Sequence, residues 1–166
     1  MSRRAEQDGP FSYRRRVFRF ALPLLLASAS FASLDADLRA HVEVLSSDLL
    51  GGRKTPSRGL DIAAEYIAVQ FRRARLRPQP DGTYFQTVSA GVRNVVGVLP
   101  GSDPKLRDQY LLVTAHYDHV GTDEKAVGDT ILNGANDNAS GVSSVIEIAS
   151  IVSSRTVKPK RTIVFI

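Results

Sequence analysis

Two short motifs in the second half of the chain contain side chains that bind metal ions. Ala115-His-Tyr-Asp-His119 follows an apolar run, and Gly134-Ala-Asn-Asp-Asn-Ala-Ser-Gly141 leads into a predicted helix. The imidazole of His116 and the carboxylate of Asp137 are groups that zinc binds in proteins. A carboxylate can also bridge two cations about 3.5–4 Å apart. Because ligands of open α/β sheets gather at the carboxyl ends of the strands, the motifs predict part of a metal site there.

Asp118 is the third residue to which we assign a role, that of a catalytic support for His116. It lies two residues after His116 and returns to the same side if the extended backbone continues. Its carboxylate can then accept the second N–H of the imidazole, which fixes the tautomer and raises the basicity of the ring. By the same alternation, His119 is expected to point away and not to be a ligand. His41, on a predicted amphipathic helix, is expected to be a packing or surface residue.

Each motif also has an ordinary structural interpretation. A single His-x-Asp sequence is more often a surface ion pair than a metal site. The segment from Asp137 to Ser140 is compatible with a simple helix N-cap, because Asp, Asn and Ser are the preferred capping residues. Composition and spacing alone leave these alternatives open.

The elements that must position these residues follow an α/β pattern. Apolar residues at helical spacing predict one helix through Leu34 and Leu49, one through Leu60 and Ala74, and one that begins near Ser140. Alternating or apolar runs predict strands at residues 84–88, 94–99, 110–115 and 162–166. The long crossover between the last two strands predicts that they are parallel, and their apolar sequences are typical of strands buried on both faces.

The first 32 residues have the three parts of an export signal. An Arg-rich stretch leads into the apolar run Phe20–Ala29, and small residues allow cleavage after Ala29 or Ala32. Arg15-Arg16 resembles a twin-arginine signal, although a Sec signal is the default. We therefore predict a signal peptide at residues 1–32 and a secreted or periplasmic protein. A disordered basic tail is the alternative, and the apolar run is too short for a stable membrane anchor.

The charge and cysteine content exclude several classes of partner. Residues 1–32 contain six Arg and two acidic residues, so the remaining sequence has 16 basic and 15 acidic residues. That balance does not support a nucleic-acid face, which needs clustered Lys and Arg. The absence of cysteine excludes a disulfide scaffold and a thiolate metal site. At 166 residues the chain is expected to contain one domain, at residues 33–166.

Ile166 is the fifth residue of an apolar β-type run, with no turn or polar tail after it. We therefore expect the chain to be a fragment that ends inside a sheet. A sheet made only of the predicted strands would leave an unpaired apolar edge.

Three segments resemble the co-catalytic di-zinc aminopeptidases, peptidase family M28 of clan MH. The first is Leu45-Ser-Ser-Asp-Leu-Leu-Gly-Gly-Arg53, which runs into Ala63–Ile67 and Tyr84–Gln86. The second extends from Asn94 to His119, and the third is Asn133-Gly-Ala-Asn-Asp-Asn-Ala-Ser-Gly141. The segments occur in the family's order and cover nearly everything after the signal.

The resemblance implies a three-layer zinc-exopeptidase-like mixed sheet flanked by helices, truncated after the first strands. It implies that His116 binds one zinc, that Asp137 bridges two zinc ions, and that Asp118 orients His116. A cis peptide is expected between Asp137 and Asn138. The implied activity is that of a secreted aminopeptidase, in which metal-activated water attacks the N-terminal bond of a peptide substrate.

The family's later metal residues are missing from this sequence. A Glu-Glu pair that supplies the general base and a zinc ligand, and a later Asp and His, have no counterpart in the 166 residues. The chain alone is therefore expected to be inactive and to bind zinc weakly at best. Carboxypeptidase-like proteins and one-zinc glutaminyl cyclases are alternatives within the fold, and a non-catalytic relic or binding module is an alternative outside enzymes. The oligomeric state is not predicted.

Overall fold

The computed structural model describes residues 33–166, so the predicted signal peptide at residues 1–32 lies outside the described residues. The chain divides into two units, Met1–Ala36 and Asp37–Ile166. The first unit is described only at residues 33–36, where the first helix begins. All other elements discussed below lie in the second unit. No helix within residues 33–166 is long and apolar enough to cross a membrane.

Within residues 33–166 the helical part comprises three α-helices, one 3-10 segment and one short π-helical turn, Ala135–Ala139. Helix α1 covers residues 33–45, the 3-10 segment is Asp48–Arg53, helix α2 is Arg58–Arg73 and helix α3 is Ser140–Ser154. The hydroxyl of Ser57 caps α2 by accepting a hydrogen bond from the Leu60 N–H at 3.1 Å. The predicted apolar face of α2 is buried and contributes Ile67 and Phe71 to the core, which confirms the prediction.

Helix α1 ends earlier than its periodicity predicts. It stops at residue 45, and Leu49 lies in the 3-10 segment with 89% of its surface exposed, whereas Leu50 is buried. The cause is local, because the Ser46 hydroxyl donates to the Val42 carbonyl and the Ser47 hydroxyl accepts from the Leu49 N–H. Serine side chains that bond to nearby backbone in this way compete with continued helix.

In the described part of the chain, seven short strands form three separate sheets. The strands are β1 Phe85–Ser89, β2 Val92–Val95, β3 Gly97–Leu99, β4 Tyr110–Val113, β5 Gly121–Thr122, β6 Ile131–Leu132 and β7 Thr162–Phe165. β1 pairs with β2 and β5 with β6, both antiparallel, while the third sheet has the order β3-β7-β4. In that mixed sheet β7 is antiparallel to β3 and parallel to β4, which confirms the predicted parallel pair.

Two strand predictions need correction. The predicted strand at residues 94–99 is divided between β2 and β3, which belong to different sheets. The prediction that β4 is buried on both faces is also wrong, because Leu111 and Leu112 are 54% and 60% exposed. β4 is one of the two edge strands of its three-stranded sheet, and fewer described residues cover it than cover the central strand β7, where Phe165 is fully buried.

One hydrophobic core joins α2, α3 and the mixed sheet. Phe71 of α2 and Phe165 of β7 lie at its centre, with ring centroids 6.3 Å apart. Ala149 of α3 is fully buried in the same cluster. This core fixes the carboxyl end of β4 beside the start of α3, where both donor motifs lie.

Candidate metal centre

The structure brings together the two residues predicted to bind metal. His116 lies three residues after the carboxyl end of β4, and Asp137 lies in the short π-helical turn Ala135–Ala139 that leads into α3. The Nε2 atom of His116 is 3.1 Å from Oδ1 of Asp137. Both side chains are accessible, with 54% and 69% of their surface exposed. The pair therefore presents a nitrogen and an oxygen donor to solvent at the sheet edge.

Asp118 contacts the opposite side of the His116 ring. Its Oδ1 atom is 3.3 Å from Nδ1 of His116, and its backbone carbonyl oxygen is 3.2 Å from the same nitrogen. The hydroxyl of Thr55 donates to Oδ2 of Asp118 at 3.0 Å. Asp118 is thus placed where it can orient the imidazole with Nε2 facing Asp137, and the ligand and orienting roles themselves stay predictions.

His119 also belongs to this group, although sequence reasoning set it aside. Its Nδ1 atom is 3.6 Å from Oδ2 of Asp137, and its ring packs so closely on Gly134 that a Cβ there would lie 2.7 Å away. The prediction assumed that side chains alternate between the two faces of a strand as far as His119. However, β4 ends at Val113, and the residues that follow have no regular strand geometry. Alternation therefore gives no information on the direction of this side chain.

The capping interpretation of the second motif applies to the neighbour of Asp137. The Asn138 side chain accepts a hydrogen bond from the Gly141 N–H in the first turn of α3, at 3.2 Å. Meanwhile the carboxylate of Asp137 contacts His116 and His119. The peptide between Asp137 and Asn138 is cis, as the family resemblance predicted. The capping contact is thus made by Asn138, whereas the carboxylate of Asp137 faces two imidazole rings and its metal-binding role stays a prediction.

A buried arginine, missed by sequence reasoning, links the two motifs. Arg53 is 1% exposed, and its guanidinium donates to the carbonyls of Tyr117 at 2.9 Å, Asn133 at 2.7 Å and Gly134 at 3.0 Å, as well as that of Leu45. Burial lowers the pKa of Arg53 from its ordinary value, while the negative charges of nearby carboxylates act in the opposite direction. The sequence signals were its place after Gly51-Gly52, a pattern typical of an irregular turn, and its position at the end of the first segment that resembles the family.

The donor set fits part of a zinc site. A nitrogen and an oxygen that each bind a tetrahedral zinc at about 2.0–2.2 Å lie about 3.3–3.6 Å apart, a few tenths of an ångström more than the 3.1 Å between His116 and Asp137. Catalytic zinc generally has three protein ligands, however. Within residues 33–166 there is no group of three or more His, Cys, Asp or Glu residues arranged to hold a metal ion. The described residues therefore supply two donors of the correct chemistry, and further ligands are needed.

The fold defines the class of the protein as α/β, and the His116–Asp137 pair is the candidate for part of a metal centre. The sequence model described as Peptidase family M28 matches residues 94–166, which include both donor motifs. This match and the curated relative described next support membership of the chain in this family. A curated protein of Pyricularia oryzae, described as "Probable zinc metalloprotease", is 32% identical over 174 residues. The alignment covers 94% of this chain but 33% of that protein, so the chain spans about a third of its relative.

Solved structures share the fold. LapB from Legionella pneumophila is 27% identical with a TM-score of 0.57, over 78% of this chain and 33% of that one. A Zn-dependent exopeptidase from Parabacteroides distasonis is 24% identical with a TM-score of 0.55, over 80% and 45% of the two chains. A glutaminyl cyclase from Tannerella forsythia is 23% identical with a TM-score of 0.54, over 78% and 45%. The last two likenesses concern the fold alone.

Proposed function

We propose that this chain is part of a secreted zinc-dependent metallopeptidase, most specifically an aminopeptidase. The observation that carries the proposal is the 3.1 Å approach of His116 Nε2 to Asp137 Oδ1 at the carboxyl end of β4. Family membership and the zinc metalloprotease relative support a zinc hydrolase. The export signal predicted at residues 1–32 supports secretion.

The roles of the residues follow from their contacts. With Nδ1 of His116 protonated and facing Asp118, the lone pair of Nε2 is available to a cation. Asp137 would offer Oδ1 beside that nitrogen, and its Oδ2, on the His119 side, would remain for a second cation. Bound zinc would supply the Lewis acid that polarises the scissile carbonyl and activates water. The exposure of His116 and Asp137 leaves room for a peptide to reach this edge.

The 166 residues alone are proposed to be inactive. They contain no Glu-Glu pair, so no matched residue takes the proton of the attacking water as general base. The purified chain is incubated with zinc and an unblocked peptide, and released amino acids are measured by mass spectrometry, with His116→Ala as the control. We expect no release that depends on both zinc and His116. Release by the wild-type chain that His116→Ala abolishes would show that the chain is itself a peptidase.

Glutaminyl cyclase activity is a second candidate, since a glutaminyl cyclase shares the fold. The two are separated by offering a protein that continues past Ile166 both an N-terminal leucyl peptide and an N-terminal glutaminyl peptide. Loss of the first residue supports the aminopeptidase, whereas loss of ammonia from the glutaminyl peptide without shortening supports the cyclase.

The gene sequence after the codon for Ile166 distinguishes a non-catalytic binding module from both enzymes. If the reading frame continues past Ile166 into a strand end followed by Gly-Glu-Glu, the missing base and ligand are supplied. A stop codon directly after Ile166 would contradict the enzymatic proposal for this gene.

A further inference from the structure

We propose that Arg53 is a positioning residue that holds the two donor motifs at the spacing observed between His116 and Asp137. It would act through the backbone of both motifs and not by touching a metal or a substrate. The part of this inference that concerns zinc rests on the proposed function. We call residues 114–120 the His116 loop and residues 133–139 the Asp137 loop.

The hydrogen bonds of Arg53 are divided between the two loops. Nε donates to the carbonyl of Tyr117, the residue between His116 and Asp118, at 2.9 Å. Nη1 and Nη2 donate to the carbonyls of Asn133 and Gly134 at 2.7 and 3.0 Å. The positions bonded in the two loops are 16 or 17 residues apart in sequence, so this single side chain joins them directly. A shift of any of these three carbonyls would break a charge-assisted hydrogen bond to the buried guanidinium.

The surroundings of the guanidinium indicate a geometric role and not an ion pair. Arg53 is 1% exposed, and none of the salt bridges found among residues 33–166 includes it. Its partners are backbone carbonyls, which are fixed by the path of the chain. Arginine suits this arrangement because its donors form a rigid planar fork, whereas lysine has a single ammonium group.

The residues around Arg53 in sequence support the same loops independently of its side chain. The Arg53 carbonyl accepts a hydrogen bond from the His119 N–H at 3.0 Å, and the Thr55 hydroxyl donates to Asp118 at 3.0 Å. On the other side, Gly52 approaches the β5–β6 hairpin, where a Cβ would lie 2.6 Å from the Leu132 carbonyl oxygen. The hairpin connects the two loops, so the 3-10 segment contacts the whole assembly.

The test compares Arg53→Lys, which keeps the charge but loses the fork, with Phe71→Leu, a substitution in the shared core that removes no hydrogen bond to either loop. Amide hydrogen exchange of the 166-residue chain is followed by NMR. The His119 N–H is the reporter for the His116 loop. The Ala139 N–H, which donates to the Gly134 carbonyl at 3.1 Å, is the reporter for the Asp137 loop. The Ile67 N–H in α2 reports global opening of the fold.

We expect Arg53→Lys to raise exchange at both loop reporters by about tenfold or more beyond any change at Ile67. Phe71→Leu is expected to produce no such excess. Exchange that rises equally at all three amides, or at one loop only, would overturn the proposal, because it would show that Arg53 acts on global stability or on a single loop.

The zinc dissociation constant is then measured for the wild-type chain and both variants. Arg53→Lys is expected to raise it by about 10–100-fold, the usual effect of a lost supporting contact, and Phe71→Leu to leave it unchanged. A wild-type constant that Arg53→Lys does not change would overturn the link between Arg53 and metal binding. A wild-type chain that binds no zinc would instead contradict the proposed function, and the exchange result would still decide whether Arg53 joins the loops.

Discussion

Residues 33–166 contain two groupings of histidine and carboxylate that share residue types and similar contact distances but differ in burial. In the first, which we call the His41 cluster, His41 Nδ1 is 2.7 Å from the Tyr66 hydroxyl and Nε2 is 3.0 Å from Glu147. His41 is 8% exposed and the Glu147 side chain 13%. In the second, the candidate metal centre, the His116 side chain is 54% exposed and that of Asp137 is 69% exposed.

The difference shows how a buried cluster that stabilises the fold can be distinguished from a candidate metal-binding site. Both ring nitrogens of His41 are occupied by partners on α2 and α3, so the cluster joins three helices and has no free donor. Burial also raises the pKa of Tyr66, against the opposing effect of Arg73, so the hydroxyl stays protonated. In the metal centre the carboxylate of Asp137 and Nε2 of His116 lie in loops open to solvent. A cation can therefore replace their mutual contact without disrupting the core.

The largest expected effect concerns the support of the metal centre. Gly52→Ala should lower the free energy of unfolding by about 3 kcal/mol, since φ is +68° and a Cβ would collide with the Gly121 carbonyl. Gly51→Ala is the matched control, because its φ is +52° but nothing lies within 4 Å, and it should cost about 1–2 kcal/mol. Both values come from urea unfolding. Equal losses would show that the contact with the hairpin is unimportant.

The second prediction tests the His41 cluster as a structural tie. His41→Ala should lower the free energy of unfolding by about 2–3 kcal/mol, because it leaves the Tyr66 hydroxyl and the Glu147 carboxylate without their imidazole partner. His116→Ala should change it by no more than about 0.5 kcal/mol, as expected for an exposed side chain. A reversed order of the two losses would contradict the comparison.

The third prediction concerns the orientation of His116. Asp118→Asn should weaken zinc binding by about 10–100-fold, because the amide is a poorer acceptor for the imidazole N–H. Asp81→Asn removes the same charge from an exposed turn and should leave the zinc dissociation constant unchanged. Calorimetric titration measures both. An unchanged constant in Asp118→Asn would remove the orienting role.

The smallest effect is a loss of stability at alkaline pH. It involves Tyr66 of the His41 cluster and Tyr117 of the His116 loop. Burial raises the pKa of Tyr66 and of Tyr117 above the ordinary value, against the positive charges of Arg73 and Arg93. The folded chain thus retains protons that the unfolded chain releases near pH 10, so stability falls as the pH rises past about 10. Tyr66→Phe or Tyr117→Phe should flatten this fall in urea unfolding at several pH values. The exposed control Tyr110→Phe should not, and an equal change in all three would contradict the prediction.

The sequence was sufficient to predict features that depend on local periodicity or on a recognisable motif. The buried face of α2, the parallel pair β4 and β7, and the approach of His116 to Asp137 are of this kind. Apolar spacing reports which face of a helix is buried, and a long crossover determines the direction of the next strand. The buried face of a helix depends on a few neighbouring residues, and the direction of a strand depends on how the chain connects it to the previous one.

The features that sequence reasoning missed depend on partners distant in the chain. Arg53 is buried because carbonyls from three separate segments converge on it, and backbone carbonyls leave no mark in a sequence. The approach of His119 to Asp137 was not predicted, because β4 ends at Val113 and strand alternation does not continue to His119. The exposure of Leu111 likewise depends on how few described residues pack against β4, which its apolar composition does not reveal.

The central claim, that His116 and Asp137 form part of a zinc site while the His41 cluster is structural, is tested most directly by NMR of the imidazole rings. The sequence has three histidines, so one spectrum of the 166-residue chain resolves all of them during a zinc titration into the millimolar range. We expect the His116 ring signals to shift, those of His119 to shift less, and those of His41 to stay constant. His116 signals that do not respond to zinc, or a response at His41 equal to that at His116, would contradict the account.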